Sequence, residues 1–144
     1  MENKIGGLLI NKINYLSGRI FTKLMKTTTS PNINHAQGKI LFVLSKKNKM
    51  SINDLCTELS LSKSTLTSML DRLHLSGYIS KEISELDKRI TLVSITDKAI
   101  EEVKIYENTV YKMANIYYEN FTDKEIIEFE NYLNRIYQNL EKIK

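Results

Sequence analysis

Apolar residues recur at three- and four-residue spacing through most of the chain, and only residues 78–95 depart from that rhythm. Ile5, Leu9, Ile13, Leu16, Ile20 and Leu24 share one stripe, which predicts an amphipathic helix over residues 5–26. The run Thr27-Thr28-Thr29-Ser30-Pro31 ends it, because the residue before a proline is pushed out of helical geometry. Asn34 caps a second helix to about Ser45, with Ile40, Leu41 and Leu44 inward. Ser51 caps a third, with Asp54 three residues on, where a carboxylate suits a helix N-terminus, and with Leu55 and Leu59 on one face. Ser60-Leu61-Ser62 breaks that helix. Ser62 then caps a fourth, from Lys63 to Leu75, whose inward residues are Leu66, Met69, Leu70 and Leu73.

Gly77 stops the fourth helix, as a residue needing positive φ does just past a last turn. Two β-branched segments follow, Tyr78 to Ile83 and Arg89 to Ile95, which predict short strands around the polar loop Ser84-Glu85-Leu86-Asp87-Lys88. From Thr96, an N-cap, a long helix is predicted to about Phe121, with Val103, Tyr106, Val110, Met113, Tyr117 and Phe121 as its stripe. Thr122 and Glu125 form a capping box for a last helix. In it Ile126, Phe129, Leu133, Ile136, Leu140 and Ile143 alternate spacings of three and four, a heptad-like seam.

Helix, turn, helix and charged hairpin is the grammar of a winged helix-turn-helix. The predicted fold is therefore mainly α with a small β-wing: one domain over residues 1–144, with a reader at 33–96 between terminal helical regions 1–32 and 97–144. The outer face of the fourth helix carries Lys63, Ser64, Thr65, Thr67 and Ser68. Small hydroxyl side chains let a helix approach base edges closely and bond to bases or phosphates. A plain solvated face is the competing reading, although a sequence built only for helix stability would place Lys, Glu or Ala there. Arg72 is expected on a phosphate or an intramolecular carboxylate. Asp87, Lys88 and Arg89 at the hairpin tip suit a minor groove, whose negative potential draws arginine. Double-stranded DNA is the expected partner, and the expected activity is that of a transcription regulator.

Charge qualifies this reading. The net charge is +4, but residues 1–50 carry +8, residues 51–96 carry −1 and residues 97–144 carry −3. Residues 51–96 are not themselves basic, so phosphate contacts would draw on helix N-termini, hydroxyls and Lys46, Lys47 and Lys49 just upstream. A winged-helix module that docks protein and has no DNA target stays open as the alternative.

The segment Leu70-Asp71-Arg72-Leu73 through Gly77-Tyr78-Ile79, then Asp87-Lys88-Arg89, then Leu92-Val93-Ser94-Ile95-Thr96, resembles the multiple antibiotic resistance regulator (MarR) family. So does Ile33-Asn34-His35-Ala36-Gln37-Gly38-Lys39-Ile40-Leu41 upstream. The similarity of architecture covers essentially the whole chain. The resemblance implies a homodimeric winged-helix regulator, in many cases a repressor on a pseudo-palindromic operator released by a small phenolic or lipophilic ligand. By the same resemblance an effector would lie near Tyr15, Arg19, His35, Tyr106 and Tyr111, for which core and surface packing is the alternative role. A regulator without an effector is the other alternative. The dimer would use Ile5, Leu9 and Ile13 of the first helix with Ile126, Phe129, Leu133, Ile136 and Leu140 of the last. Each stripe is continuous and needs a partner, and an identical subunit is the common one.

Other chemistries are excluded. His35 and His74 lie far apart with no carboxylate at ligand spacing, so neither a metal site nor a cofactor is expected. No phosphate-cradling glycine loop or nucleophile elbow exists, so no catalytic residue is assigned and the chain is not expected to be an enzyme. The single cysteine, Cys56, cannot form an intramolecular disulfide and reads as core filler beside Leu55. No stretch approaches the roughly 18 apolar residues of a membrane span, and the N-terminus lacks the pattern of a signal peptide, so a cytoplasmic location is expected.

Overall fold

A computed structural model describes residues 3–28 and 33–144. The proline break at residue 31 lies outside the described residues. The helices are α1 (Gly6–Thr28), α2 (His35–Lys47), α3 (Ile52–Leu59), α4 (Lys63–Leu75), α5 (Ile100–Tyr117) and α6 (Asp123–Glu141). The strands are β1 (Met50–Ser51), β2 (Ile79–Ile83) and β3 (Thr91–Ile95), and a single 3₁₀ turn, Asp97–Ala99, leads into α5. Two compact units result, Met1–Val110 and Tyr111–Lys144. No helix among the described residues is long and apolar enough to cross a membrane.

The helix starts follow their caps. Asn34 and Gln37 form a full capping box on α2, and Ser51 accepts from the Asp54 N–H at 3.1 Å. Ser62 accepts from the Thr65 N–H, and Thr122 with Glu125 boxes α6. Ser60 ends α3 in the left-handed region at φ 53°, and Gly77 follows α4 at φ 81°.

The sheet is antiparallel, with order β1-β3-β2. Ile79 pairs with Ile95 at the base of the hairpin and Ile83 with Thr91 toward its tip. β1, absent from the sequence reading, pairs Met50 with Val93 and Ser51 with Leu92. Two residues are too few for any alternation to register. β3 begins at Thr91 rather than Arg89, because Arg89 and Ile90 belong to the turn: the Ile90 N–H donates to Asp87 O at 3.0 Å.

The core of the first unit is built from Ile40, Leu41 and Leu44 of α2, Leu55 of α3, Leu66, Leu70 and Leu73 of α4, and Val93 of β3. Cys56 is half-buried against this cluster. α5 is shorter than the predicted helix, since Asn120 turns the chain at φ 67°, and its Tyr117 is exposed, as is Phe121 just beyond it. Thr96 does not cap α5 with its side chain. Its hydroxyl reaches back to Gly77 O at 2.6 Å, and its N–H donates to Tyr78 O.

Candidate nucleic-acid interface

Two exposed features of the first unit stand out: the N-terminal half of α4 and the β2–β3 wing. On α4 the buried stripe of Leu66, Leu70 and Leu73 fixes which way the helix faces. At about 100° per residue, Ser64, Thr65, Ser68 and Arg72 fall within one outward arc, and all four are exposed. Lys63 lies outside that arc, on the side of Leu70, and is exposed only because it opens the helix, whereas Thr67 flanks the buried stripe and is half-buried. Thr67 therefore presents only part of its side chain outward, less than its place in the hydroxyl run implies.

The hydroxyls at the start of α4 are linked. Ser62 Oγ donates to Thr65 Oγ1 at 2.9 Å and lies 3.4 Å from Ser64 Oγ. They are thus oriented before any ligand arrives, and they sit at the positive end of the helix dipole.

The wing tip is a braced turn. The Ser84 N–H donates to Ile90 O at 2.9 Å, and Ser84 Oγ accepts from the N–H groups of Leu86 and Asp87 at 3.2 and 3.3 Å. Beyond it, Asp87 and Arg89 form a fork. Nε and Nη2 of Arg89 donate to Oδ1 and Oδ2 of Asp87 at 3.1 and 3.0 Å, and the Arg89 N–H adds a third bond at 3.0 Å. The guanidinium, followed by that backbone bond, holds the Asp87 carboxyl below its ordinary pKa, and the carboxylate in turn raises that of Arg89. The arginine side chain remains 90% exposed, with three of its five N–H donors uncommitted. The role of Ser84 was missed in the sequence. A serine opening a polar loop is its only signal, and that signal is common.

Charge around the reader is more committed than the sequence implies. Lys49 pairs with Glu82, Lys46 Nζ lies 3.1 Å from Glu107, and Lys81 Nζ lies 2.7 Å from Asp71. Two of the three lysines looked to for phosphate contacts are therefore neutralised. Among the described residues Arg72 makes no ion pair. Lys63, Lys88 and Lys47 are likewise in none of the ion pairs among those residues.

Of the five residues considered for an effector, His35 and Tyr106 meet in one cluster of rings. His35 stacks on Phe21 with ring centroids 4.2 Å apart and lies 5.9 Å from Tyr106, which also meets Phe21 and Phe42. These rings fill the space between α1, α2 and α5. Burial, then the charge of Lys39, lowers the pKa of His35, and burial pushes the Tyr106 phenol up to about 12. Tyr15 and Arg19 form a separate cation–π pair at 5.7 Å, and Tyr111 is exposed on the second unit. The residues considered for a dimer are largely solvent-facing. Ile5, Leu9 and Ile13 are exposed, as are Phe129, Leu133, Ile136 and Leu140, while Ile126 is half-buried. No residue of α6 is buried. Among the described residues no three His, Cys, Asp or Glu side chains cluster as metal ligands.

Comparison with known proteins bears on this arrangement. The model of the MarR family matches residues 33–91, the span from the start of α2 to the first residue of β3. The organic hydroperoxide resistance transcriptional regulator of Bacillus subtilis is 31% identical over 102 residues, 67% of this chain and 69% of that protein. The uncharacterised HTH-type regulator YfiV of the same organism is 33% identical over 63 residues, 44% of this chain but 39% of that protein, so the match spans well under two thirds of its length. A crystal structure of a mutant MarR from E. coli complexed with operator DNA superimposes with a TM-score of 0.78 over 94% of this chain and 99% of that one; at 23% identity this is a likeness of fold. With architecture, matched segment and relatives in agreement, the chain belongs to the MarR family, a family of winged-helix, DNA-binding transcription regulators rather than enzymes.

Proposed function

We propose that this chain acts as a homodimeric repressor on a pseudo-palindromic operator, reading the major groove with α4 and the adjacent minor groove with the wing. The observation that carries the DNA contact is the Asp87–Arg89 fork, which holds an exposed guanidinium at the wing tip with donors to spare. Ser64, Thr65, Ser68 and Arg72 on one arc supply small hydroxyls and a cation for base edges and phosphates. The structurally similar mutant MarR from E. coli is complexed with operator DNA, which supports duplex DNA as the partner. Dimerisation is supported by the exposed apolar residues along α1 and α6, since contiguous apolar faces mark interaction sites and an identical subunit is the common partner. A two-fold assembly also matches half-sites one helical turn apart, about 34–36 Å. The proposal includes a cytoplasmic setting, where the chromosome lies.

One observation favours regulation without an effector at the place the family resemblance implies: the rings of Phe21, His35, Phe42 and Tyr106 already fill that region. The near-neutral stretch 51–96, with its Lys81 paired and Lys49 paired just upstream, favours the protein-docking alternative. Selection of duplexes from a randomised pool separates the readings. Enrichment of an inverted repeat, footprinted on both half-sites by two copies, is the expected result. Failure to enrich any sequence at low salt would leave protein docking.

A further inference from the structure

Leu86 stands on the turn that closes the wing and is 99% exposed. Its main chain is fixed, because its own N–H and that of Asp87 both donate to the buried Ser84 hydroxyl. Ile83 and Ile90, also exposed, flank it along the hairpin. Lys88 and the free edge of Arg89 sit on the same tip. A lone exposed leucine is ordinary on a protein surface. Here the leucine is fully exposed, braced and set beside two cations, with two more aliphatic side chains behind it. That combination matches the DNA minor groove, whose walls are apolar deoxyribose and whose rims are phosphate. Minor-groove proteins place leucine and isoleucine in that groove together with arginine, most deeply as wedges between base steps.

We infer that Leu86 is a DNA-contacting residue, its side chain seated against the sugar walls of the minor groove while Arg89 and Lys88 take the floor and rim. This rests on the reading above that the chain binds duplex DNA, and adds an apolar contact to it. Such a contact releases no counterions. It is therefore distinguishable from a phosphate contact by its salt dependence.

The probe is a duplex enriched from a randomised pool by the unsubstituted chain. Leu86→Ala is expected to lower affinity about tenfold at every salt concentration, since most of one leucine side chain returns to water. The slope of log K against log salt should stay that of the parent, and Leu86→Met should recover most of the loss. Lys88→Ala is the contrast, flattening the slope by about 0.9. Because Leu86 packs against nothing in its own chain, the thermal midpoint of the alanine variant should equal the parent's. The inference is overturned if Leu86→Ala binds as tightly as the parent, or if its loss comes with a flatter slope. It is equally overturned if sedimentation shows a changed association state, which would put a second copy over Leu86. A parent that enriches no duplex removes the DNA reading and this inference together. A parent that does, with Leu86→Ala indistinguishable from it, removes this inference alone.

Discussion

Arg89 is already locked in a bidentate pair with Asp87, so little rotamer entropy remains to be lost when the guanidinium meets a base edge or a phosphate. Arg89→Ala is expected to weaken operator binding about tenfold to a hundredfold, with an unchanged thermal midpoint, by titration of a labelled duplex. An unchanged affinity would remove the wing from the mechanism. The pair was legible in the sequence because Asp-x-Arg at a hairpin tip leaves the two side chains little else to meet. The half-burial of Thr67 was not legible, since a hydroxyl run does not say where the buried stripe ends. His35 gives the pH dependence. Its folded pKa lies below the ordinary 6.5, through burial between Phe21 and Tyr106 and then through Lys39. The unfolded chain then binds more protons near that pH, so stability rises with pH. The contribution is whole above about 6.5 and is lost as pH falls from there through the folded value. Thermal melts of the parent against His35→Phe, from about pH 8 to pH 5, should show the variant's midpoint falling less on the acid side.

At the scale of elements, α2 and α5 approach closely enough that position 38 must be glycine. A Cβ built there would lie 2.6 Å from Cδ2 of Tyr106, and that ring is held in place by Phe21, His35 and Phe42. Gly38→Ala removes a helix-weakening residue, which alone would stabilise by about 1 kcal/mol. Overpacking a fixed ring costs about 1–3 kcal/mol, so a net loss is expected. Denaturant unfolding should show a lower midpoint, and a higher one would mean that the ring moves freely. Four helix starts, at Asn34, Ser51, Ser62 and Thr122, were readable to the residue, because capping there is a local bond between positions three apart. β1 was not, because a two-residue strand exists only through its partner Val93–Leu92, some forty residues away. The turn of Thr96 toward Gly77 escaped for the same reason: its competitor for the hydroxyl is distant in sequence.

For the whole molecule, the apolar face of α6 is the feature on which the proposed assembly rests. Leu133 lies mid-helix among Phe129, Ile136 and Leu140, all exposed. If a second copy covers this face, Leu133→Asp buries an unpaired carboxylate, which costs several kcal/mol unless the contact opens. Sedimentation at micromolar concentration is expected to show the parent as a dimer and the variant as a monomer, or as unfolded chain if a monomer cannot stand alone. Specific binding should be lost with every DNA-facing residue intact. A parent that sediments as a monomer and still footprints its operator one-to-one would overturn the dimer. The stripes were legible because helical periodicity writes them into the sequence. What covers them was not, since periodicity specifies a face and not its partner.

The link between Thr96, Lys98 and the end of α4 has a mechanical consequence. Thr96 Oγ1 holds Gly77 O, and Lys98 Nζ holds Ser76 O at 2.5 Å while resting 4.7 Å from the centre of the Tyr78 ring. The root of α5 and the end of α4 are therefore pinned together; were α4 to tilt about that fulcrum, the helix would act as a lever. Its 13 residues make an arm of about 20 Å. A tilt of about 10° at the fulcrum carries the far end, where Lys63, Ser64 and Thr65 sit, through about 3.4 Å, the rise of one base-pair step.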